Sequence, residues 1–206
     1  MTPAFLYFDL GNVLLHFDHR LAATQMAEVA KLELDRVWDL VFATGDLLVE
    51  IETGRLGPQE FYEHFCRETG TRADYGLLEE AGSAIFTVNA PMLPIITHLE
   101  AAGHRLGVLS NTSESHWRYI ARQYPMIPRT FEPAALSFKA GVMKPDPAIY
   151  QYAADLAGVA PEEIFFTDDR AENVAGALRA GFDAVPFTGP ADLARELRRR
   201  GLRFNY

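Results

Sequence analysis

Asp9 is a single carboxylate that directly follows a run of large apolar residues, Phe5 to Phe8. A short, aromatic-rich run bounded by a turn signal is typical of a strand buried on both faces. Asp9 would then stand at the carboxyl end of that strand, where open α/β sheets bind their ligands. Gly11 and Asn12 are turn residues that can bring the backbone close to a bound group. We predict that Asp9 is a nucleophile.

A second polar segment follows the apolar run that ends at Leu109. Ser110 and Asn111 precede a predicted helix, and the unpaired N–H groups at a helix N-terminus favour a bound anion. The alternative is that Ser110, Thr112 or Ser113 only caps this helix. Either an anion site or a helix cap therefore fits this segment.

Lys144 lies in a third segment, between glycine and two prolines, Pro145 and Pro147. Proline fixes the backbone, so the lysine would project from a rigid turn. A fixed ammonium can hold a phosphoryl group or a charged carboxylate nucleophile. The alternative is an ordinary solvated lysine.

Asp168 and Asp169 are adjacent carboxylates at the end of the apolar run Ile164 to Thr167. Neighbouring carboxylates at a buried strand end repel each other unless a cation holds them. Mg²⁺ binds one or two carboxylates together with water and phosphate oxygens. Helix capping could explain one of the two acids but not readily both. We therefore predict a magnesium site here.

The elements that must position these groups alternate between strand and helix from residue 91 onward. We predict strands at 105–110, 134–137, 164–167 and 183–186, and helices at 93–102, 113–123, 147–157, 171–180 and 191–200. Such alternation indicates βαβ units and a parallel sheet. The fold class is therefore α/β, with a Rossmann-like parallel sheet core.

Residues 18–86 show helical spacing throughout and no convincing strand. A helical block cannot belong to the sheet, so we predict a small all-helical cap inserted after the first strand. The predicted division is a core of residues 1–17 and 87–206 and a cap of residues 18–86.

The order of the four segments resembles that of the haloacid dehalogenase-like hydrolase superfamily. Its motifs are an aspartate after the first strand, Ser-Asn, Lys-Pro and Asp-Asp, and here they span nearly the whole chain. The resemblance implies a Rossmann-like core, a helical cap that closes over the substrate, and hydrolysis of a phosphate ester. These are the parts that phosphoryl transfer needs, since positioning and charge neutralisation do most of its catalysis.

The resemblance also implies a role for each matching residue. Asp9 would form an aspartyl-phosphate, and Lys144 would steady it and the phosphoryl oxygens. Ser110, with Asn111 beside it, would bind phosphate.

The metal site would follow the same pattern. Mg²⁺ would be held by Asp9, Asp168, Asp169 and the backbone carbonyl of Gly11, with Asp169 as the expected direct ligand of the acidic pair. Asn173, on the first turn of the next helix, would orient that pair.

One position departs from the family pattern. Most phosphatases of this superfamily carry a second aspartate two residues after the nucleophile as general acid and base, and here that position is Gly11. His16, Asp18 and His19 are candidate proton donors near the cap boundary, because histidine transfers protons near neutral pH. The alternative is that they are polar loop residues.

The wording of the motifs is most similar to a bacterial subgroup that includes an α-D-glucose-1-phosphate phosphatase. This likeness suggests a sugar phosphate or another small phosphomonoester as substrate. An anomeric phosphate has a more acidic leaving group than an alkyl phosphate, which would lessen the need for a general acid.

Two other functions remain open. A 2-haloacid dehalogenase would use Asp9 on carbon and needs no acid at Gly11, but it gains nothing evident from Asp168 and Asp169, and the aromatic residue and threonine that follow its nucleophile are missing. A non-catalytic regulatory module would keep the fold without turnover, although a scaffold has no need to hold these charges together.

The overall composition limits the partners. The formal net charge of −9 disfavours nucleic acid, whose phosphates are bound by clustered Lys and Arg. We see no signal peptide and no apolar run long enough for a bilayer, and Cys66 is the only cysteine. We expect a cytoplasmic protein, monomer or homodimer, that binds a small phosphorylated metabolite and neither nucleic acid nor membrane.

Overall fold

The computed structural model describes residues 2–205. The strands found there are β1 Phe5–Phe8, β2 Leu15–Phe17, β3 Phe86–Val88, β4 Leu106–Ser110, β5 Ala134–Leu136, β6 Ile164–Asp168 and β7 Asp183–Pro186. The α-helices are α1 His19–Ala30, α2 Leu34–Val41, α3 Asp46–Glu52, α4 Pro58–Thr69, α5 Tyr75–Ser83, α6 Leu93–Ala101, α7 Glu114–Gln123, α8 Met126–Thr130, α9 Ser137–Ala140, α10 Pro147–Ala157, α11 Ala171–Arg179 and α12 Pro190–Arg199. No helix among these residues is long and apolar enough to cross a bilayer.

The core is a parallel sheet of five strands in the order β5-β4-β1-β6-β7. This confirms the predicted α/β fold with a parallel sheet. β1 lies in the middle, and all its side chains are buried, as expected for a strand covered on both faces. Phe8 at its end pairs with Val108 of β4 and Thr167 of β6, so the three strands end at one edge.

Alternate side chains of β1 serve the two faces of the sheet, because a strand repeats every two residues. Leu6 and Phe8 pack into a cluster with residues of α6, α7 and α12. Phe5 and Tyr7 pack into the opposite cluster with α10 and α11. Each of these fully buried side chains contributes about 1.5–3 kcal/mol through removal from water. The buried Tyr7 hydroxyl donates to the Ala153 carbonyl at 2.9 Å.

Helices α1, α2, α4 and α5 contribute to a third, separate cluster, which includes Met26, Val37, Phe65 and Leu78. An independent apolar cluster is what a helical cap would need. The division into a core of residues 1–17 and 87–206 and a cap of residues 18–86 stays a prediction.

A two-stranded antiparallel ribbon joins the ends of the helical block. Leu15 of β2 pairs with Val88 of β3, and Phe17 pairs with Phe86. The prediction that residues 18–86 are all helical is therefore wrong at Phe86, and β2 was not predicted at all. Strands of three residues are too short to show an alternating pattern, and their partner is distant in the sequence.

Candidate active site

The carboxyl edge of the sheet gathers polar groups from three neighbouring strands. Asp9 directly follows β1, Ser110 ends β4 and Asp168 ends β6. The Asp9 N–H donates to the Thr167 carbonyl at 2.9 Å, which aligns the nucleophile candidate with the end of β6. Parallel pairing therefore brings together residues that are more than a hundred positions apart.

Lys144 is the link between the two strand ends. Its Nζ lies 2.7 Å from Asp9 Oδ1 and 2.6 Å from Asp168 Oδ2, and it donates to the Leu109 carbonyl at 2.8 Å. The lysine side chain is 1% exposed, so the alternative of a solvated lysine is wrong. We call Asp9, Lys144, Asp168 and Asp169 the charged cluster.

The backbone of Lys144 is held by the second segment. Asn111 Oδ1 accepts from the Lys144 N–H at 2.8 Å, and Asn111 Nδ2 donates to the Lys144 carbonyl at 3.0 Å. Asp146 then caps α10 by accepting from the Ala148 N–H. Asn111 thus positions the lysine, and the phosphate contact that the resemblance implied for Asn111 stays a prediction.

Asp168 is surrounded by donors. Its Oδ1 accepts from the Arg170 N–H at 2.8 Å and from Asn173 Nδ2 at 3.0 Å, while Oδ2 accepts from Lys144. The Asn173 carbonyl in turn accepts from the buried Tyr150 hydroxyl at 2.7 Å. Asn173 therefore lies where it can orient Asp168, the first acid of the pair.

Asp169 is exposed and has a different environment. One oxygen, Oδ2, accepts from Asn12 Nδ2 at 3.0 Å. Asn12 adopts a left-handed backbone with φ 56°, a conformation that asparagine tolerates better than most residues. Sequence reasoning treated Asn12 only as a turn residue and missed this contact.

The charged cluster fits a divalent cation. Asp9, Asp168 and Asp169 each offer a carboxylate oxygen, and these oxygens lie within 4.8 Å of one another. Three carboxylates against one ammonium leave an excess of negative charge, which is costly where two of the acids are buried. Oxygen ligands of this kind suit Mg²⁺.

The pKa values of Asp9 and Lys144 reflect the same excess of negative charge. Burial raises the pKa of Asp9, with a further raising effect from Asp168, although the Lys144 ammonium acts in the opposite direction. Burial alone would lower the pKa of Lys144, but the two carboxylates more than offset this and raise it. The lysine therefore stays charged, and Asp9 is the group whose ionisation a further cation would favour.

The second segment divides between the two roles considered for it. Ser113 caps α7, since its Oγ accepts from the His116 N–H at 3.2 Å. The Thr112 N–H donates to Ser137 Oγ. Ser110 does not cap α7. Together with Asp9, Gly11 and Lys144 it lines a pocket at the carboxyl edge of the sheet, which we call the active-site pocket. Its hydroxyl donates to the Asn111 carbonyl at 3.2 Å.

Gly11 lies in the same pocket, where the family pattern has its second aspartate. A Cβ built at Gly11 would lie 2.8 Å from the Phe17 ring, closer than two carbon atoms can approach. Phe17 therefore fills the space that a side chain at this position would need.

The three candidate proton donors near the cap boundary occupy three different environments. Asp18 caps α1 by accepting from the N–H groups of Arg20 and Leu21, and His16 is exposed on β2 outside the pocket. His19 alone lines the pocket, packed against Phe17. Burial lowers the pKa of His19.

Two further residues of the pocket were missed by sequence reasoning: Glu52 at the end of α3 and His116 in α7. Burial raises the pKa of Glu52 to about 7 and lowers that of His116 to about 4. Neither lies in a recognisable motif, and only the packing of helices against the sheet edge brings them there.

Comparisons with known proteins identify relatives over most of the chain. A family model described as haloacid dehalogenase-like hydrolase matches residues 6–181. The chain is 25% identical over 199 residues to the D-ribitol-5-phosphate phosphatase of Bacteroides thetaiotaomicron, which covers 93% of this chain and 95% of that relative.

Two other matches are a partial relative in sequence and a solved structure with the same fold. The chain is 32% identical over 87 residues to (S)-2-haloacid dehalogenase 4A of Burkholderia cepacia, which covers 42% of this chain and spans only 37% of the dehalogenase. A haloacid dehalogenase family enzyme of Bacteroides thetaiotaomicron, solved in complex with magnesium and inorganic phosphate, superposes with a TM-score of 0.77 at 23% identity and covers 89% of this chain and 93% of that one.

Proposed function

The chain belongs to the haloacid dehalogenase-like hydrolase family, and we propose that it is a Mg²⁺-dependent phosphatase that hydrolyses a small phosphomonoester. The observation that carries this proposal is the charged cluster, in which Lys144 Nζ bonds both Asp9 at 2.7 Å and Asp168 at 2.6 Å. A buried carboxylate that is fixed by an ammonium beside further acids has the parts that phosphoryl transfer requires.

The metal would be held by Asp9, Asp169 and the Gly11 carbonyl, with Asp168 in support. Both Asp168 oxygens already accept from protein donors, whereas among residues 2–205 Asp169 accepts only through Oδ2, from Asn12. This difference supports Asp169 as the direct ligand of the pair. When bound, Mg²⁺ would neutralise negative charge on the phosphate oxygens.

The protein groups would act as follows. An Asp9 carboxylate oxygen attacks phosphorus and forms an aspartyl-phosphate while the bond from phosphorus to the substrate alcohol breaks. Lys144 keeps Asp9 in place and offsets charge on the phosphoryl oxygens. Ser110 contributes a hydroxyl to the phosphoryl group, and Asn111 holds the backbone from which Lys144 projects.

The rest of the substrate would lie in a cavity of about 140 Å³ between the helical block and the core, next to the active-site pocket. Polar groups such as Tyr62, Glu79 and Ser115 line it together with apolar side chains. The lining is mostly apolar, so the support for a small polyol or sugar phosphate comes from the relative named as a D-ribitol-5-phosphate phosphatase. The more specific likeness to glucose-1-phosphate phosphatases, which rests on the wording of the motifs, stays a prediction.

The test is a panel of sugar phosphates, nucleotides and aromatic phosphates, assayed for phosphate release with and without Mg²⁺. We expect turnover with Mg²⁺ that an Asp9→Asn variant loses. Chloride release from 2-chloropropionate without Mg²⁺ would instead indicate a dehalogenase. No release above that of Asp9→Asn on any substrate would indicate a non-catalytic module. The expected cytoplasmic location and the state of monomer or homodimer stay predictions.

A further inference from the structure

The active-site pocket and the cavity beneath the helical block share one boundary. Both are lined by His19, Leu48, Glu52 and His116, and we call these residues the shared wall. Asp9 and Lys144 lie on one side of it, and the space proposed for the substrate alcohol lies on the other. The oxygen that joins phosphorus to that alcohol must therefore pass close to the shared wall.

Glu52 is held at this wall by the way α3 meets the core. It is the last residue of α3, and the turn that follows packs against α9. At Gly54, with φ +70°, an added Cβ would lie only 2.4 Å from the Phe138 carbonyl oxygen. Because only glycine allows this approach, the end of α3 sits directly on the core.

The Glu52 carboxyl is available for chemistry. It is half-buried, yet it makes no hydrogen bond or ion pair with any residue of 2–205 whose bonds are described. The charged groups that act on it are Lys144, Asp9 and Arg170. Burial is the largest influence and favours the protonated form near neutral pH, with Asp9 acting in the same direction and the two cations against it.

The other titratable groups of the shared wall are less suited to donate a proton. Burial lowers the pKa of His19, and His19 packs between the Phe17 and Phe42 rings. Burial lowers the pKa of His116 to about 4, and its Nε2 lies 3.2 Å from the Gly82 carbonyl, to which a neutral imidazole can donate. Both imidazoles are therefore neutral at pH 7, whereas a general acid must carry a transferable proton.

We propose that Glu52 is the catalytic acid and base that replaces the side chain missing at Gly11. The inference depends on the proposed phosphatase function and deepens it. In the first step Asp9 forms a bond to phosphorus, the bond from phosphorus to the alcohol oxygen breaks, and Glu52 gives its proton to that oxygen. In the second step Glu52 takes a proton from water, the resulting hydroxyl bonds to phosphorus, and the acyl-phosphate bond breaks to release phosphate and Asp9.

The test compares Glu52→Gln with wild type on two substrates that differ in leaving group. Nitrophenolate leaves from p-nitrophenyl phosphate without needing a proton, whereas the alkoxide of ribitol 5-phosphate needs one. In rapid-mixing experiments with Mg²⁺ and excess enzyme, we expect Glu52→Gln to slow release of ribitol by about 10²–10⁴-fold, the usual contribution of a general acid. The rate of nitrophenolate release in the same single turnover should change by less than about tenfold. Aspartyl-phosphate should then accumulate because its hydrolysis lacks a base.

Glu50→Gln is the matched control, since Glu50 lies on the same helix and is exposed, and within the described part of the chain its carboxylate pairs only with Arg55. It should behave as wild type on both substrates. An equal loss on both substrates in Glu52→Gln would show a structural role and overturn the proposal, as would no loss on either. Absence of phosphoenzyme and turnover in wild type would instead reject the phosphatase function itself, and this inference with it.

Discussion

The charged cluster and the shared wall both contribute residues to the same pocket but are built differently. In the charged cluster two buried groups have several partners from different elements. Lys144 bonds Asp9, Asp168 and the Leu109 carbonyl, and Asp168 also accepts from Arg170 and Asn173. In the shared wall, Glu52 has no such bond among the described residues, and His116 has one through its ring. The first arrangement fixes geometry, whereas the second leaves side chains free to meet a substrate.

This difference has a physical reason. Buried charges without partners are costly, so the charged cluster can exist only if each group is held by others. The shared wall is partly exposed to solvent, so its polar side chains can remain without hydrogen-bond partners until a substrate binds. Mutations in the two regions should therefore differ in both size and kind of effect.

The largest effect is expected for Asp9→Asn, because an amide oxygen is a poor nucleophile. Turnover of the best substrate should fall by about 10⁴-fold or more, the scale on which loss of a nucleophile acts. Phosphate release under saturating substrate and Mg²⁺ measures it. Asp39→Asn, an exposed change on α2, is the control and should retain full activity. Retention of most activity by Asp9→Asn would remove Asp9 as nucleophile.

Lys144→Met should chiefly reduce stability. Asp9 and Asp168 would face each other in a buried site without their shared ammonium, and loss of one partner of a buried ion pair costs about 3–5 kcal/mol. Urea unfolding without Mg²⁺ measures this. Lys139→Met is the control, because Lys139 is the exposed residue of α9. A cost for Lys144→Met as small as for that control would show that the charged cluster does not hold the fold together.

Mg²⁺ binding should separate the two adjacent acids. At a concentration of 100 times its Kd, Mg²⁺ should stabilise wild type by about 2.7 kcal/mol. Asp169→Asn should lose most of that gain while it unfolds like wild type in the absence of metal. Asp168→Asn should be less stable even without Mg²⁺, because Lys144 and Asn173 lose their charged acceptor.

Loss of the Mg²⁺ stabilisation in Asp168→Asn, with the gain retained in Asp169→Asn, would contradict the assignment of Asp169 as the direct ligand. Thermal unfolding with and without Mg²⁺, followed by the same series with EDTA, distinguishes the two outcomes. Both variants are isosteric, so differences in side-chain packing should not obscure the comparison.

The smallest effect concerns the shared wall and depends on pH. Burial lowers the pKa of His116 from 6.5 to about 4, so between those values the unfolded chain binds a proton that the folded chain does not. Stability should therefore fall as pH falls through this window, by up to about 1.4 kcal/mol per pH unit. The raised pKa of Glu52 acts in the opposite direction between about pH 4.5 and 7.

His116→Gln isolates the histidine contribution, because Glu52 is present in both chains. Without Mg²⁺, we expect wild type to lose about 3 kcal/mol more than the variant between pH 7 and pH 4. Above pH 7 the two stability curves should run parallel. Parallel curves throughout would mean that His116 is not buried in its neutral form.

Local sequence patterns were sufficient for the sheet and for most of the charged cluster. β1, the helix 147–157 and the strand 183–186 could be predicted because apolar runs, proline and glycine act over a few neighbouring residues. The order of the site residues could also be predicted, because each lies at such an apolar run or turn. These residues are Asp9, Ser110, Lys144 and Asp168. The parallel sheet then brings strand ends to one edge whatever lies between them.

The tertiary structure alone decided which hydrogen bonds these groups make and which other residues line the pocket with them. Pairing of β2 with β3, the Phe17 ring over Gly11 and the place of Glu52 at the shared wall all depend on contacts between distant segments. A glutamate at the end of a short helix has no local signal, because its neighbours in sequence are not its neighbours in space. The sequence by itself therefore determined the fold and the position of Asp9 at a strand end, whereas long-range packing decided that Glu52 lines the same pocket as Gly11.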